Sequence, residues 1–326
     1  KNPIAERGPK ASKAIVQPQK MISQTGGFHA LSTMFAIAIS PGAFVAALWV
    51  RFLRSWPKAV AEHLPDGKNR PMNFDEIARQ LVDARRSGVQ ADLPVADGGL
   101  SLEGAMMIQR AANSALGGIR IGWKVGATNE AAQKAFAISA PFFGPMPDSA
   151  MVENGGDIEK KPTVGACEPE YAFKMARTWP AEGEAINAET AAEAVANVHA
   201  AIEVIGRRTG TAAYQNGTGI TLDFAGNSHF VVGDEVADWS SQNLADTVVE
   251  SMVDGEVVQT GNGQPVMGDP INSLVWLGEQ LAAQGDRLEA GEWVSTGTCT
   301  PPVPAQAGTT YMAKFGDFGT VSVRFS

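Results

Sequence analysis

Along residues 72–326 the apolar positions switch repeatedly between a helical period and strict alternation, and the switches mark short elements. Asn73 precedes a stripe of Ile77, Leu81 and Val82, with Glu76 at the capping-box position and Gly88 as a stop, so a helix is predicted there. A second helix is predicted over 105–116, closed by Gly117 and Gly118. Residues 119–126 read as a strand, 129–136 as a short helix, and the proline-rich run 141–147 as a stiff loop. An apolar strand is predicted over 167–173, a helix over 188–198 with Thr190 at its cap, and a buried strand over 200–206. Residues 219–222 read as another apolar strand with Asp223 at its end. Asp254-Gly255 marks a hairpin between 247–253 and 256–259. A helix enters at Pro270 and buries Leu274, Leu277 and Leu281. Strands follow over 291–297 and twice within 311–325.

Three acids and one lysine stand inside these apolar runs. Glu168 and Glu170 are two apart, so in a strand they share a face. Two like charges that close repel unless something positive sits between them. The pair reads either as the solvated face of an edge strand or as ligands to a hard divalent cation. Glu203 stands alone in the run 200–206, and buried acids are paired or metal-bound. It reads as a salt bridge to Arg207, Arg208 or Lys124, or as a third metal-site carboxylate. Lys124, between Trp123 and Val125, either faces solvent or stands beside a substrate oxygen or an acid.

Composition narrows the classes. A hydrophobic fraction of 44% in 326 residues supports a sizeable core, and 35 Gly with 19 Pro fit many turns and short strands. The net charge of −9 divides into +7 over residues 1–71 and −16 over 72–326. An acidic body argues against a nucleic-acid partner. Two cysteines, Cys167 and Cys299, fit a reducing cytoplasm rather than a disulfide framework. The four histidines lack zinc-hydrolase spacing, and neither a G-x-S-x-G elbow nor a P-loop occurs.

Residues 1–71 read differently. The first twenty are basic, and 21–50 carry no Asp, Glu, Lys or Arg. The apolar stretch 35–50 is interrupted by Pro41-Gly42 and flanked by Arg51, Arg54 and Lys58. It suits a membrane anchor, a signal peptide, or a poorly ordered, non-native extension ahead of a start at Met72. The third is the favoured reading, because the stretch falls short of the ~20 apolar residues of a span. The expected organisation is an extension over 1–71 and one catalytic domain over 72–326, helical to about residue 118.

The order of motifs is familiar. Gly122-Trp-Lys-Val-Gly-Ala-Thr128, Glu168-Pro-Glu170, Ala201-Ile-Glu-Val204, Gly268-Asp-Pro-Ile-Asn-Ser-Leu-Val-Trp-Leu277 and Ser295-Thr-Gly297 together resemble the fumarylacetoacetate hydrolase superfamily. The branch resembled is that of the 2-keto-4-pentenoate hydratases and 2-oxo-3-hexenedioate decarboxylases of aromatic catabolism. The resemblance implies an α+β, mainly β fold, with a mixed rolled sheet and flanking helices. It implies Mg²⁺ or Mn²⁺ held at Glu168, Glu170 and Glu203, and a small 2-oxo acid or its enol as substrate. Lys124 and Asp223 match catalytic positions, and Thr296 and Gly297 match a segment that binds the substrate carboxylate; Asn227 is carried as a substrate contact. A homo-oligomer is implied too. The expected reaction is hydration of a 2-hydroxypenta-2,4-dienoate-type acid, with decarboxylation, acylpyruvate-type C–C hydrolysis, or a binding homologue with weakened chemistry as alternatives. Two departures from the hydratases bear on that choice. No acid stands in 137–144, and the hydratase Asp-Asn-Ala-Ser pattern is here Asp223-Phe-Ala-Gly226.

Overall fold

The computed structural model describes residues 73–93, 100–210 and 217–326. The expectations for residues 1–71 lie outside the described residues.

The described residues open with two helices, α1 (Phe74–Ser87) and α2 (Leu102–Leu116). Asn73 caps α1 through the Asp75 and Glu76 amides, and Gly88 ends it in the left-handed conformation. Ser101 caps α2. Strand β1 (Arg120–Gly126), helix α3 (Glu130–Ala135) and strand β2 (Phe142–Pro147) follow, then the short strands β3 (Met151–Val152) and β4 (Asp157–Ile158). The long strand β5 (Val164–Met175) leads through α4 (Ala188–Glu193) into β6 (Val195–Gly206), α5 (Gly217–Leu222) and β7 (Asn227–Glu235). The hairpin β8 (Val249–Val253) and β9 (Glu256–Gly261) precedes α6 (Pro270–Ala283). Four strands close the chain: β10 (Trp293–Thr298), β11 (Val303–Pro304), β12 (Thr310–Phe315) and β13 (Gly319–Phe325).

The strands form two mixed sheets. The larger is curled and runs β2-β1-β10-β5-β6-β7-β3, with β11 on β5; the smaller runs β4-β13-β12-β8-β9. Strand alternation splits β5 between two environments. Its odd residues, among them Cys167, Tyr171 and Phe173, join the main core with Tyr311, Phe315 and Val323 of the second sheet. Tyr171 meets Phe315 edge-on at 5.0 Å. The even residues face the other way. There Ala166 lies in a second apolar cluster with Leu81, Ile108 and Leu222, which the helices supply, and with Phe142 and Phe224. The helical layer therefore covers the face on which Glu168 and Glu170 stand.

This α+β, mainly β architecture with flanking helices meets the expectation, and four local readings are corrected. The run 141–147 is a strand rather than a loop. It lies at the sheet edge, where Pro145 and Pro147 remove no ladder partner. Residues 219–222 belong to a helix, because Ile220 and Leu222 pack into the second apolar cluster and tertiary burial overrides the strand preference of the β-branched Ile220 and Thr221. The helix predicted over 188–198 stops at Glu193, and β6 takes over from Val195. Its cap is Asn187, with Thr190 closing the capping box. Among the described residues no helix is long and apolar enough to cross a membrane.

Candidate active site

The strand register assembles the site. β5 and β6 run antiparallel with Glu168 opposite Glu203, and opposed residues share a face. Glu170 joins them by alternation. The donor oxygens of Glu168, Glu170 and Glu203 lie within 4.8 Å of one another. Lys124 reaches the same face across two strands. It stands opposite Ser295 of β10, and Ser295 stands opposite Ala172, two residues beyond Glu170. All four charged groups are buried, with relative exposures of 5% for Glu168, 1% for Glu170, 0% for Glu203 and 2% for Lys124.

Each carboxylate is held by a different part of the fold. Lys124 Nζ lies 2.9 Å from Glu203 Oε2, with the Phe142 ring centroid 5.1 Å from the ammonium. Asn227 Nδ2 donates to Glu203 Oε1 at 3.2 Å, while Asn227 Oδ1 accepts from Arg85 Nη2 at 3.1 Å. Glu170 Oε2 accepts from the Ser295 hydroxyl and from the Gly297 amide, the latter at 2.9 Å. Gly297 has φ +114°, and a Cβ there would fall 2.5 Å from Thr128 Oγ1, so only glycine presents that amide to Glu170.

The expected site residues thus divide. Glu168, Glu170, Glu203, Lys124, Asn227 and Gly297 come together. The Thr296 hydroxyl turns instead to the Tyr171 carbonyl, at 2.9 Å. Asp223 is committed to Arg208: its Oδ2 accepts from the Arg208 amide at 2.7 Å and its Oδ1 pairs with Arg208 Nε. Both partners are buried, and the pair anchors the segment that leads to Asn227. Sequence reasoning did not single out Ser295 or Arg85. Alternation within β10 puts Ser295 and Thr296 on opposite faces, so one of them had to turn away, and only the register decides which.

The electrostatics follow from burial. Desolvation pushes the Glu168 carboxyl up to about 8, with Lys124 opposing and Glu203 adding to the shift. Desolvation also raises Glu170 well above the carboxylate range, reinforced by Glu203 and Glu168 and opposed by Lys124 and Ser295. Burial works to lower Lys124, but Glu203, Glu168 and Glu170 outweigh it, and the amine sits above its ordinary value as an ammonium. Fully ionised, three carboxylates and one ammonium leave two uncompensated negative charges in a buried space. One divalent cation would cancel them, and an all-carboxylate oxygen set suits Mg²⁺, Mn²⁺ or Ca²⁺.

A curled mixed sheet that gathers three glutamates beside a buried lysine defines a class of proteins with a buried, carboxylate-rich site that could hold a divalent cation. The chain belongs to the fumarylacetoacetate (FAA) hydrolase C-terminal family, which residues 122–326 match. It is an enzyme of this superfamily, related to hydratases and decarboxylases. It is 31% identical over 210 residues to the 2-keto-4-pentenoate hydratase of Paraburkholderia phymatum, covering 63% of this chain and 78% of that protein. It is 27% identical over 257 residues to a 4-oxalocrotonate decarboxylase of a Pseudomonas species, covering 77% of this chain and 97% of that protein. The fold matches the solved 4-oxalocrotonate decarboxylase from Pseudomonas putida G7, complexed with magnesium and adipate. There the TM-score is 0.71 and the identity 24%, over 79% of this chain and all of that one.

Proposed function

We propose that this chain is a divalent-metal-dependent enzyme acting on a 2-oxo acid or its enol, with hydration of a 2-hydroxypenta-2,4-dienoate-type acid as the leading reaction. The convergence of Glu168, Glu170 and Glu203 beside Lys124 carries the proposal. These three carboxylates would hold Mg²⁺ or Mn²⁺, and the bound cation would supply Lewis-acid polarisation of the substrate's 2-oxygen and carboxylate. Lys124, kept protonated by its acidic neighbours, holds a proton and a positive charge where an enolate develops. Ser295 and the Gly297 amide fix Glu170, and Asn227 fixes Glu203, so the acids are positioned before substrate arrives. Phe142, against Lys124, keeps water from the ammonium.

One observation favours a second reading within the same proposal. Adding water to an alkene needs a general acid or base. Residues 137–144 supply no carboxylate, and Phe142 occupies the Lys124 side of the site. Decarboxylation needs the same electron sink but no activated water. A spectrophotometric panel with and without EDTA and Mg²⁺ separates the readings by scoring dienol loss, CO₂ release and C–C cleavage. Metal-dependent dienol loss supports the hydratase, CO₂ release the decarboxylase, and C–C cleavage the hydrolase. Tight metal binding without turnover on any substrate overturns the enzymatic proposal. The proposal includes a homo-oligomer, which the mass in solution tests.

A further inference from the structure

A cavity of about 420 Å³ lies apart from the three glutamates, between the C-terminal end of α1 and the loop leading into β5. Arg85, Arg86, Lys161 and Arg208 line it, together with Ser228 and His229. Two carboxylates also reach its wall. Glu159 is paired with Lys161 at 3.1 Å, and Asp148 accepts from the Ser149 amide at 2.8 Å.

Two of the cations are incompletely answered. Arg208 spends Nε and Nη2 on Asp223, but its Nη1 is buried without a hydrogen-bond partner among the described residues. The residue is 1% exposed, so water does not readily serve that group. A buried donor left without a partner is costly, the more so when it is charged. Arg85 makes hydrogen bonds only to neutral oxygens, those of Asn227 and Ser228, and no carboxylate lies within ion-pairing distance among the described residues. Both guanidiniums lie against the same Phe224 ring, at 4.8 and 5.3 Å from its centroid, so two like charges share one neighbourhood. The local field is positive by a second measure. Burial, then Arg85, Arg208 and Lys161, lowers His229 to about 4, so its imidazole is neutral at pH 7.

We propose that this cavity is a second binding site, specific for a small oxyanion bearing carboxylate or phosphate groups. An anion there would face the cluster of Arg85, Arg86, Lys161 and Arg208 and offset its like charges. Forked guanidiniums suit both oxyanion types. A volume of about 420 Å³ holds more than one bare phosphate, which points to an organic anion. The site reaches the carboxylate cage by one chain of contacts: Arg85 holds Asn227, and Asn227 donates to Glu203. Occupancy therefore changes the affinity of the cage for a cation, and by linkage the cation changes the affinity for the anion.

The binding test uses full-length protein freed of metal with EDTA and then dialysed, so it does not depend on any turnover. Inorganic phosphate and succinate are titrated separately at fixed ionic strength against chloride, with heat of binding and thermal unfolding as readouts. The expected result is saturable binding of one anion per chain. Tighter phosphate binding identifies an organic phosphate as the ligand class, and tighter succinate binding a polycarboxylate. The double variant Arg86→Gln/Lys161→Gln, whose side chains lie outside the glutamate cage, should weaken binding at least tenfold. Arg208→Lys, which keeps the charge on Asp223 but lacks Nη1, should weaken it too. Non-saturable stabilisation matched by chloride, or equal affinity in wild type and the double variant, overturns the proposal. Linkage is read from Mn²⁺ affinity at saturating and zero succinate. A severalfold change is expected, and identical affinities would refute the coupling.

Discussion

Replacing Lys124 by Met tests the electrostatic logic of the site most sharply. The substitution keeps an unbranched apolar stem and deletes the ammonium that sits 2.9 Å from Glu203 Oε2. Both groups are buried, so the loss strands carboxylates away from water. Removing one partner of a buried ion pair costs about 3–5 kcal/mol. For a body of this size each kcal/mol moves Tm by roughly 2–4 °C, which gives a fall of about 6–20 °C in metal-free protein. Proton uptake relieves part of that cost, because Glu168 already holds its proton up to about pH 8. The fall should therefore be larger at pH 8.5 than at pH 6. Saturating Mg²⁺ should restore more stability in the variant than in wild type, since the cation supplies the missing positive charge, while turnover stays lost. Thermal unfolding of EDTA-treated, dialysed protein, with and without Mg²⁺, reads all of this. A fall of less than ~2 °C at pH 8.5 would refute the reasoning, as would equal Mg²⁺ shifts in both proteins.

Further outcomes follow from the same geometry. In metal-free wild type, Glu168 keeps a proton that the unfolded chain releases near pH 4.5, so the native state binds more protons from there to about pH 8. Stability should fall as pH rises through that window, by up to ~1.4 kcal/mol per pH unit for each such proton, and Mg²⁺ should flatten the slope. Ser295→Ala leaves Glu170 with the Gly297 amide but without the hydroxyl, and Mn²⁺ affinity by calorimetry should drop about 10- to 100-fold. Asp223→Asn should cost about 3–5 kcal/mol in urea unfolding, because it strands Arg208 in the interior. Gly297→Ala should fold poorly or lose metal affinity, since its Cβ meets Thr128 and its φ is left-handed.

Some of this was legible in the sequence and some was not, for identifiable reasons. Asn73 and Gly88 bound α1 by local chemistry, and Asp254-Gly255 turns the β8–β9 hairpin with both residues at positive φ. Glu168 and Glu170 share a face by alternation alone. That Glu203 stands opposite Glu168, and Lys124 two strands away, depends on register between strands far apart in the chain, which no local pattern carries. The motif order supplied what periodicity could not. Local propensity failed where tertiary packing decided. Gly217–Leu222 is rich in strand-favouring residues yet folds as a helix under α2, where the Thr221 carbonyl accepts from Gln109. The commitment of Asp223 to Arg208 was likewise hidden, because fifteen residues of chain separate them.

The central claim is that three glutamates cage one divalent cation. Titrating Mn²⁺ into metal-free wild type, Glu168→Gln, Glu170→Gln and Glu203→Gln by calorimetry tests it most directly. The account predicts one site per chain in wild type and severe loss of affinity in each variant. Unchanged Mn²⁺ binding in the three variants would contradict it.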